Sequence, residues 1–307
     1  MIKSIYIDWN IFQDIIQSRR TEGLKENINA AARAGYIIVY SCAHMRDLSK
    51  CSNPEYIKKD LAELSRITNN WCCVLQGADD SISHIQEPPE NVFSEVNNLN
   101  EKNIQNKVVR FKFEPYEVDI SKISESNILF PYLVTRNNIM SAEIMETFIG
   151  DISDEILSNH ETQKKFRKSL QEIFGLKKPA LNNLLEMPIY KYLLATREDI
   201  GNHLIEIMES FLSLSGKSFG RIPIGEKITT TYNVLDFFPA FSEKLDRRNT
   251  QRNIATDAEH VFMASGSKYL ICGDGKMVTK AKLVYEICKI ETQVYNPDDF
   301  QRKFTFI

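Results

Sequence analysis

The N-terminal part of the chain alternates between short apolar runs and longer stretches with helical periodicity. Residues 2 to 7 predict a short buried strand, and a helical pattern follows from about 11 to 34. The β-branched and aromatic run Tyr36–Tyr40 predicts a second buried strand, and Trp71–Gln76 predicts a third. Between these two strands, apolar residues recur at helical spacing in two stretches. The first 76 residues therefore predict strands that alternate with helices.

The same alternation returns near residue 253. Thr256 with Glu259 three positions later fits a capping box, which predicts a helix that begins there and has Asp257 in its first turn. Strands separated by helices indicate a mostly parallel sheet with right-handed crossovers. Three further elements are predicted in the order strand, helix, strand: Lys268–Cys272, residues 275 to 288, and Glu291–Tyr295.

The middle of the chain has a different pattern. Residues 77 to 120 are rich in Asn, Ser, Glu and Pro, and residues 138 to 215 have a helical pattern. Residues 216 to 240 hold five glycines and prolines, which predict loops. We therefore expect one discontinuous α/β domain, formed by residues 1–76 and 250–307, with residues 77–249 as a large, mostly helical insertion.

Composition adds three limits. With 43% hydrophobic residues in 307, the chain can form an ample core, and its net charge of −3 restricts any nucleic-acid binding to a local surface. No run approaches the roughly 18 consecutive apolar residues of a membrane span, and the N-terminus turns acidic too early for a secretory signal. The six cysteines form no CxxC pair. We expect a cytoplasmic protein without a membrane span.

Four aspartates lie where a predicted strand ends or near the start of a predicted helix: Asp8, Asp47, Asp257 and Asp274. The carboxyl ends of parallel strands share one edge of a sheet, and ligand sites form at that edge. Carboxylates gathered there repel one another unless a cation lies between them, and oxygen ligands of this kind suit Mg²⁺ or Mn²⁺. Hydrolysis of phosphodiester bonds is the chemistry most often performed by such a site.

Each aspartate also has an ordinary structural explanation. Asp257 and Asp274 suit a helix start or a turn, and Asp47 suits a solvated helix face. Asp8 is harder to explain in this way, because a charge beside a buried strand end needs a partner. Among the aromatic residues nearby, Trp9 is a candidate for stacking on nucleic-acid bases, whereas Tyr6 is predicted to pack in the core.

The segments that carry these acids resemble the PIN-domain nucleases. The first matches the pattern hydrophobic-hydrophobic-Asp-x-Asn, with Asp8 and Asn10, and all of them occur in the order found in that family. The resemblance covers roughly residues 1 to 76 and 250 to 307. The matching segments are Ile5–Phe12, Ser41–Leu48, Thr256–Ala264, Tyr269–Lys276 and Asn296–Phe300.

The resemblance implies a parallel five-stranded sheet flanked by helices and cleavage of phosphodiester bonds with Mg²⁺ or Mn²⁺. RNA is the expected substrate, and single-stranded DNA is a lesser option. Two positions differ from the family: Gly273 replaces a frequent Thr or Ser, and Asp47 replaces the more usual Glu. Members of the family are often toxins or defence effectors, a role that the resemblance permits.

The expected roles of the site residues follow from this resemblance and from the chemistry of hard cations. Asp8 and Asp274 are predicted as the primary metal ligands on adjacent strand ends. Asp47 and Asp257 would complete the site directly or through water, because Mg²⁺ usually keeps part of its hydration shell. Asn10 would orient Asp8 or contact a phosphate, unless it only begins the first helix.

Two histidines add a further element. His44 precedes Asp47 by three positions and His260 follows Asp257 by three, which places each imidazole on the same helical face as a carboxylate. Each histidine could act as a general acid, hold a carboxylate or bind Mn²⁺. The alternative for both is a buried structural histidine.

Basic residues flank the third and fourth acids and are candidates for contacts with RNA phosphates. The alternative is an ordinary solvated helix face. The insertion would select substrate or bind a protein partner. The basic candidates are Arg247, Arg248, Arg252 and Lys276.

Two other function classes remain open at the level of sequence. One is a catalytically silent PIN-like scaffold that binds RNA or a protein, which the presence of all four acids disfavours. The other is a phosphatase that uses Asp8 as nucleophile, which calls for an Asp-x-Asp motif where this chain has Asn10.

Overall fold

The computed structural model describes residues 3–19, 22–76, 80–103, 115–173, 205, 208–209, 212, 217–236, 241–246 and 250–304. The chain forms two compact units. The first unit comprises Met1–Gln105, Pro223–Asn233 and Ala255–Ile307, and the second comprises Asn106–Ile222 and Val234–Ile254. The predicted domain boundary at residue 76 thus lies within the first unit.

The described elements follow one another along the chain, with a 3₁₀ helix at Ile120–Lys122. They are β1 (Ser4–Ile7), α1 (Trp9–Ile16), α2 (Glu22–Arg33), β2 (Ile37–Val39), α3 (Cys42–Leu48), α4 (Pro54–Thr68), β3 (Trp71–Gln76), β4 (Ser81–Gln86), α5 (Pro89–Asn103), β5 (Tyr116–Glu117), α6 (Phe130–Val134), β6 (Ile139–Met140), α7 (Ala142–Ser158), α8 (His160–Ile173), α9 (Ile224–Leu235), α10 (Gln251–Ala264), β7 (Tyr269–Ile271), α11 (Gly275–Cys288), β8 (Gln293–Tyr295) and α12 (Pro297–Lys303).

The first unit contains a four-stranded parallel sheet in the order β2-β1-β7-β8. The prediction of a mixed α/β fold with a parallel sheet is confirmed. All four residues of β1 are buried, as expected for a central strand covered on both faces. Ile5 pairs with Ile38 of β2 on one side and with Tyr269 of β7 on the other. The carboxyl ends of β1 and β7 therefore lie side by side.

The predicted third strand is present as β3, but its pairing is divided. It forms an antiparallel pair with β4, and it meets the end of β2 through a single parallel bridge between Tyr40 and Cys72. In this bridge the Tyr40 N–H donates to the Trp71 carbonyl at 3.0 Å, and the Cys73 N–H donates to the Tyr40 carbonyl at 2.7 Å. The strand thus borders β2 without a full ladder.

Three boundaries predicted from the sequence are wrong. The expected single helix from 11 to 34 is two helices, because α1 ends at Ile16 and Ser18 adopts a positive φ of 52° in a polar segment. The helix expected to begin at Thr256 begins at Gln251, so the predicted capping box lies inside α10 and Asp257 is in its second turn. The loops expected across 216–240 include the helix α9.

The misleading sequence signal in α9 is Gly225, because a glycine beside Pro223 is typical of a loop. A Cβ atom at Gly225 would lie only 2.5 Å from the ring of Phe262 in α10. The glycine therefore permits a close approach between two helices of the first unit and does not break the helix.

Each unit has its own apolar core. In the first, one face of the sheet packs against helices in a cluster that has Ile5, Ile7 and Phe12 among its fully buried residues. In the second, a smaller cluster surrounds Phe148 of α7 and Leu133 of α6. Across the described part of the chain, no helix is long and apolar enough to cross a membrane.

Candidate active site

Asp8 follows the central strand β1 directly, and its backbone is fixed on two sides. Its N–H donates to the Ile271 carbonyl of β7 at 2.9 Å, and its own carbonyl accepts from the first turn of α1. Asp8 therefore occupies the N-cap position of α1, yet its side chain makes no capping hydrogen bond. The usual structural reason for an aspartate at a helix start does not apply here.

The Asp8 carboxyl group is only 2% exposed. Its Oδ2 atom is buried and has no hydrogen-bond partner among the described residues. Burial raises the pKa of Asp8, and although the charge of His260 lowers it, the negative charges of Asp47 and Asp274 raise it further. A buried carboxylate that faces other carboxylates and keeps a free oxygen is an unfavourable arrangement for stability alone.

Asp274 lies at the neighbouring strand end, but its side chain has a different environment. It is exposed and is the N-cap of α11, where its Oδ1 accepts the Met277 N–H at 2.8 Å. The structural explanation for Asp274 is therefore realised in part. Its negative charge raises the pKa of Asp8, and the two acids follow the paired strands β7 and β1.

Asp47 is held on both carboxylate oxygens. The His260 ring contacts Oδ2 through Nε2 at 2.9 Å, and the Lys50 ammonium group donates to Oδ1 at 2.6 Å. Burial raises the pKa of Asp47, but the hydrogen bond and charge of His260, aided by Lys50, outweigh it and lower the pKa to about 2. Asp47 is accordingly ionised at neutral pH.

His260 is fully buried and connects Asp47 to a polar chain inside the fold. Burial lowers its pKa, but the hydrogen bond to Asp47 and the charges of Asp47, Asp8 and Asp257 reverse this, so that the net pKa is raised. The Nδ1 atom of the same ring lies 2.7 Å from the Tyr6 hydroxyl. His260 therefore holds a carboxylate, one of the three roles predicted for it.

Tyr6 is the centre of this buried network. Its hydroxyl lies 2.7 Å from the Ser41 hydroxyl and 3.3 Å from Nδ1 of His44, in addition to its contact with His260. Burial raises the pKa of Tyr6 well above 10, so the phenol stays protonated. The network joins β1, which Asp8 follows directly, to α3 and α10, which carry Asp47 and Asp257.

His44 has a structural role. Its Nδ1 accepts the Ser41 N–H at 3.0 Å, which completes a capping box at the start of α3, and its Nε2 donates to the Ile7 carbonyl at 2.7 Å. These partners require a neutral ring with the proton on Nε2. Burial and the neighbouring His260 lower the pKa of His44 to about 3. Neither nitrogen is therefore available to bind metal or to donate a proton to a substrate.

The remaining predicted residues surround this centre less closely. Asp257 is partly buried in α10, and its charge acts on His260. Asn10 is exposed in the first turn of α1, and among the described residues no hydrogen bond joins it to Asp8. Lys276 is exposed in the first turn of α11.

The arginine candidates belong to another part of the chain. Arg252 is exposed and lies in the second unit, at the start of α10. Arg247 and Arg248 lie outside the described residues. Their predicted contacts with RNA therefore remain predictions.

Sequence reasoning missed Tyr6 and Lys50 as members of the site. Tyr6 lies in β1 and precedes Asp8, the residue directly after that strand, by two positions, and side chains two positions apart in extended backbone share a face. Lys50 follows Asp47 by three positions, just after α3 ends at Leu48, and this spacing brings the opposite charges together. Both signals were present in the sequence.

The centre offers an oxygen ligand of the kind that a hard cation prefers, but the described residues do not form a complete set of metal ligands. The unpartnered Oδ2 of Asp8 is an oxygen ligand that the described part of the protein does not use. Within the same described residues, no three acidic, histidine or cysteine side chains already converge to hold a metal ion. A cation bound at Asp8 would therefore rely on water and on small side-chain movements for its other ligands.

Comparisons with family models, curated proteins and solved structures found no match to the chain.

Proposed function

We propose that this chain is a divalent-metal-dependent endonuclease that hydrolyses phosphodiester bonds, above all in RNA. The observation that carries the proposal is Asp8, a buried carboxylate at the end of the central strand that does not cap its helix and keeps an unpartnered oxygen. The negative charges of Asp47 and Asp274 raise the pKa of Asp8, which supports a cation shared by the three acids.

The arrangement of strands supports a PIN-like sheet. With β3 placed beside β2 through its parallel bridge, the strand order becomes β3-β2-β1-β7-β8. The four acids then follow β1, β2 and β7 or lie in α10, the places that the resemblance to PIN-domain nucleases requires. The sheet as a five-stranded unit is part of the proposal.

Each acid has its own part in the proposed reaction. Mg²⁺ or Mn²⁺, when bound, supplies a water of lowered pKa and neutralises charge on the phosphoryl oxygens. Asp8 would hold it through Oδ2, with Asp274 and Asp257 at its sides. Asp47, kept ionised by His260, would bind it or orient a water. Lys276, exposed near Asp274, suits a contact with the substrate phosphate.

A second candidate is a catalytically silent scaffold that binds RNA or protein. The observation in its favour is that both Asp47 oxygens already have protein partners, His260 and Lys50. A metal that binds Asp47 would share its oxygens with His260 and Lys50 or displace Lys50, whose side chain is 39% exposed. The six cysteines are free thiols, which supports a reducing, cytoplasmic location for either candidate.

The deciding experiment measures cleavage of single-stranded RNA and single-stranded DNA with Mn²⁺, Mg²⁺ or EDTA. We expect metal-dependent cleavage of RNA by the wild type and its loss in Asp8→Asn. Asp298→Asn, which changes an exposed acid in α12, is the matched control and should retain full activity. Absence of cleavage together with absence of a Mn²⁺-induced rise in Tm would refute the nuclease and leave the scaffold.

A further inference from the structure

A groove on the first unit lies beside Asp47 and contains chemistry that the proposed reaction does not use. Its volume is about 650 Å³, within the range of pockets that hold small ligands. The groove is lined by residues of α1, α3 and α4 and by the turn between the last two. The residues that matter for its chemistry are Trp9, Gln13, Asp47, Tyr56, Lys59 and Asp60.

Two aromatic side chains line the groove. Trp9 follows Asp8 directly and is partly buried, with its ring edge-on to His44 at a centroid distance of 6.3 Å. Tyr56, in the first turn of α4, is 63% exposed although it is a large aromatic residue. Aromatic faces on a groove wall suit the flat faces of unstacked bases, and such stacking tolerates any base.

One cationic side chain is among the residues that line the groove. Lys59 is exposed on α4 and suits a phosphate contact, which carries no sequence information. Two acids, Asp47 and Asp60, also line the groove, and the Gln13 side-chain amide donates to Oδ2 of Asp60 at 2.9 Å. The aromatic surface of Trp9 and Tyr56 therefore carries the argument, with Lys59 as the single phosphate contact.

We propose that this groove binds one or two nucleotides of a single-stranded nucleic acid next to the bond that is cleaved, with bases stacked on Trp9 and Tyr56. A duplex would not fit this chemistry, because its bases already stack on one another. The inference rests on the proposed function for the position of the cut. Binding itself requires no metal and no cleavage, so the two can be tested separately.

Fluorescence of Trp9 provides a direct test. The chain contains two tryptophans, Trp9 and Trp71, so Trp71→Phe leaves Trp9 as the only one. In EDTA, where the substrate stays intact, we expect saturable quenching by hexamers of single-stranded RNA or DNA and little quenching by a blunt duplex. RNA and DNA in parallel show which sugar the groove prefers.

Two variants in the Trp71→Phe background connect the quenching to the groove. Tyr56→Ala should weaken binding about tenfold, the effect of losing one stacked base. Affinity falls as salt rises, so a plot of log affinity against log salt has a negative slope. Lys59→Ala should make this slope shallower by about 0.7, the value for one phosphate contact on a single strand. The control is Tyr116→Ala, which removes an exposed tyrosine from the second unit and should leave affinity unchanged.

The outcomes separate this inference from the nuclease proposal. Quenching that Tyr56→Ala weakens supports the groove whether or not the protein cleaves. Metal-dependent cleavage without Trp9 quenching would overturn the groove and leave the nuclease intact. Quenching that is equal for duplex and single strand, or that is equally weakened by Tyr116→Ala, would also overturn it.

Discussion

Two neighbouring strand ends in the same sheet carry aspartates with opposite roles in stability. Asp8 after β1 and Asp274 after β7 are both N-cap residues of the helix that follows. Asp274 is exposed and caps its helix with its carboxylate, which stabilises the fold. Asp8 is buried, does not cap, and has an oxygen without a partner in the described part of the chain. The same residue type at equivalent positions is thus explained structurally at one end and not at the other.

This difference is the basis for giving Asp8 the central role in the proposed reaction. A buried carboxylate oxygen without a hydrogen-bond partner opposes folding, and the proposed cation would compensate Oδ2 of Asp8. Asp274 could satisfy both roles, because a capping carboxylate keeps a second oxygen. The predictions that follow separate these two acids, and the network behind them, by measuring activity and stability in the same variants.

The largest expected effect is on activity, from Asp8→Asn. Loss of a primary metal ligand should reduce metal-dependent cleavage at least about a hundredfold. In EDTA the same variant should be more stable than the wild type at pH 7, because burial raises the pKa of Asp8 and each unit of that rise corresponds to about 1.4 kcal/mol of destabilisation. Urea denaturation in EDTA checks this.

The pH dependence gives the same prediction an independent check. A carboxyl with a raised folded pKa lowers stability at neutral pH, and this penalty disappears as the pH falls below the folded pKa toward 3.8. The advantage of Asp8→Asn should therefore shrink on acidification. If Asp8→Asn is less stable than the wild type in EDTA at pH 7, the Asp8 carboxylate stabilises the fold, which contradicts its interpretation as a destabilising group retained for metal binding.

The second effect is on stability, from His44→Ala. The substitution leaves the Ser41 N–H and the Ile7 carbonyl without partners inside the fold, at a cost of about 3 kcal/mol. The folded pKa of His44 is about 3 against 6.5 unfolded, so its contribution is full above pH 6.5 and declines as the pH falls toward 3. The deficit of the variant should narrow by about 1.4 kcal/mol between pH 7.5 and 5.5.

Urea denaturation of both proteins at these two pH values measures the change. A deficit that stays constant with pH would mean that His44 has the same pKa in the folded and the unfolded protein, contrary to its burial and hydrogen bonds. The shortest contacts of the His44 nitrogens are with the Ser41 N–H and the Ile7 carbonyl, and the Tyr6 and Ser41 hydroxyls lie farther from Nδ1, at 3.3 and 3.4 Å. None of these partners is a predicted metal ligand, so the variant tests the scaffold behind the site.

The sequence predicted the α/β fold because buried parallel strands are apolar runs and their ends carry polar residues. The resemblance to PIN-domain nucleases implied that Asp8 and Asp274 would follow adjacent strands, and β1 and β7 are paired in the sheet. The sequence prediction failed at α10, where the helix starts at Gln251 and the local capping pattern at Thr256 lies inside it.

The roles of the two histidines could not be predicted from spacing alone. His44 and His260 have the same offset from an acid, yet His44 bonds to its own capping residue and to a backbone carbonyl, while His260 reaches Asp47 on another helix. The contact with Asp47 spans 213 positions in sequence, so tertiary packing determines it. A helical spacing rule describes one helix and contains no information on such pairs.

The third effect is smaller and comes from Tyr6→Phe, which removes one hydroxyl from the network and keeps the ring. Without the Tyr6 hydroxyl, Nδ1 of His260 loses its hydrogen-bond partner. Because His260 holds Asp47, we expect cleavage to fall about tenfold, as for other residues that orient a metal-binding carboxylate. The expected loss of stability is about 1 to 2 kcal/mol.

Tyr285→Phe is the matched control. Its hydroxyl is equally buried and donates to the Val261 carbonyl at 2.5 Å, outside the chain that leads to Asp47. We expect a similar loss of stability with activity unchanged. Equal loss of activity in both variants would show that Tyr6 acts through general stability and would remove its link to Asp47.

The smallest effect on stability separates the two possible roles of Asp274. Asp274→Asn keeps an oxygen that can accept the Met277 N–H, so its stability should stay within a few tenths of a kcal/mol of the wild type, whereas Asp274→Ala should lose about 1 kcal/mol. Both variants should lose cleavage if the carboxylate also holds the metal. Full activity in Asp274→Asn would mean that Asp274 only caps the helix. The proposed metal ligands would then be Asp8, Asp47 and Asp257. Thermal unfolding and cleavage measured on the same three proteins decide between these roles, because the cap depends on an oxygen and the metal depends on its charge.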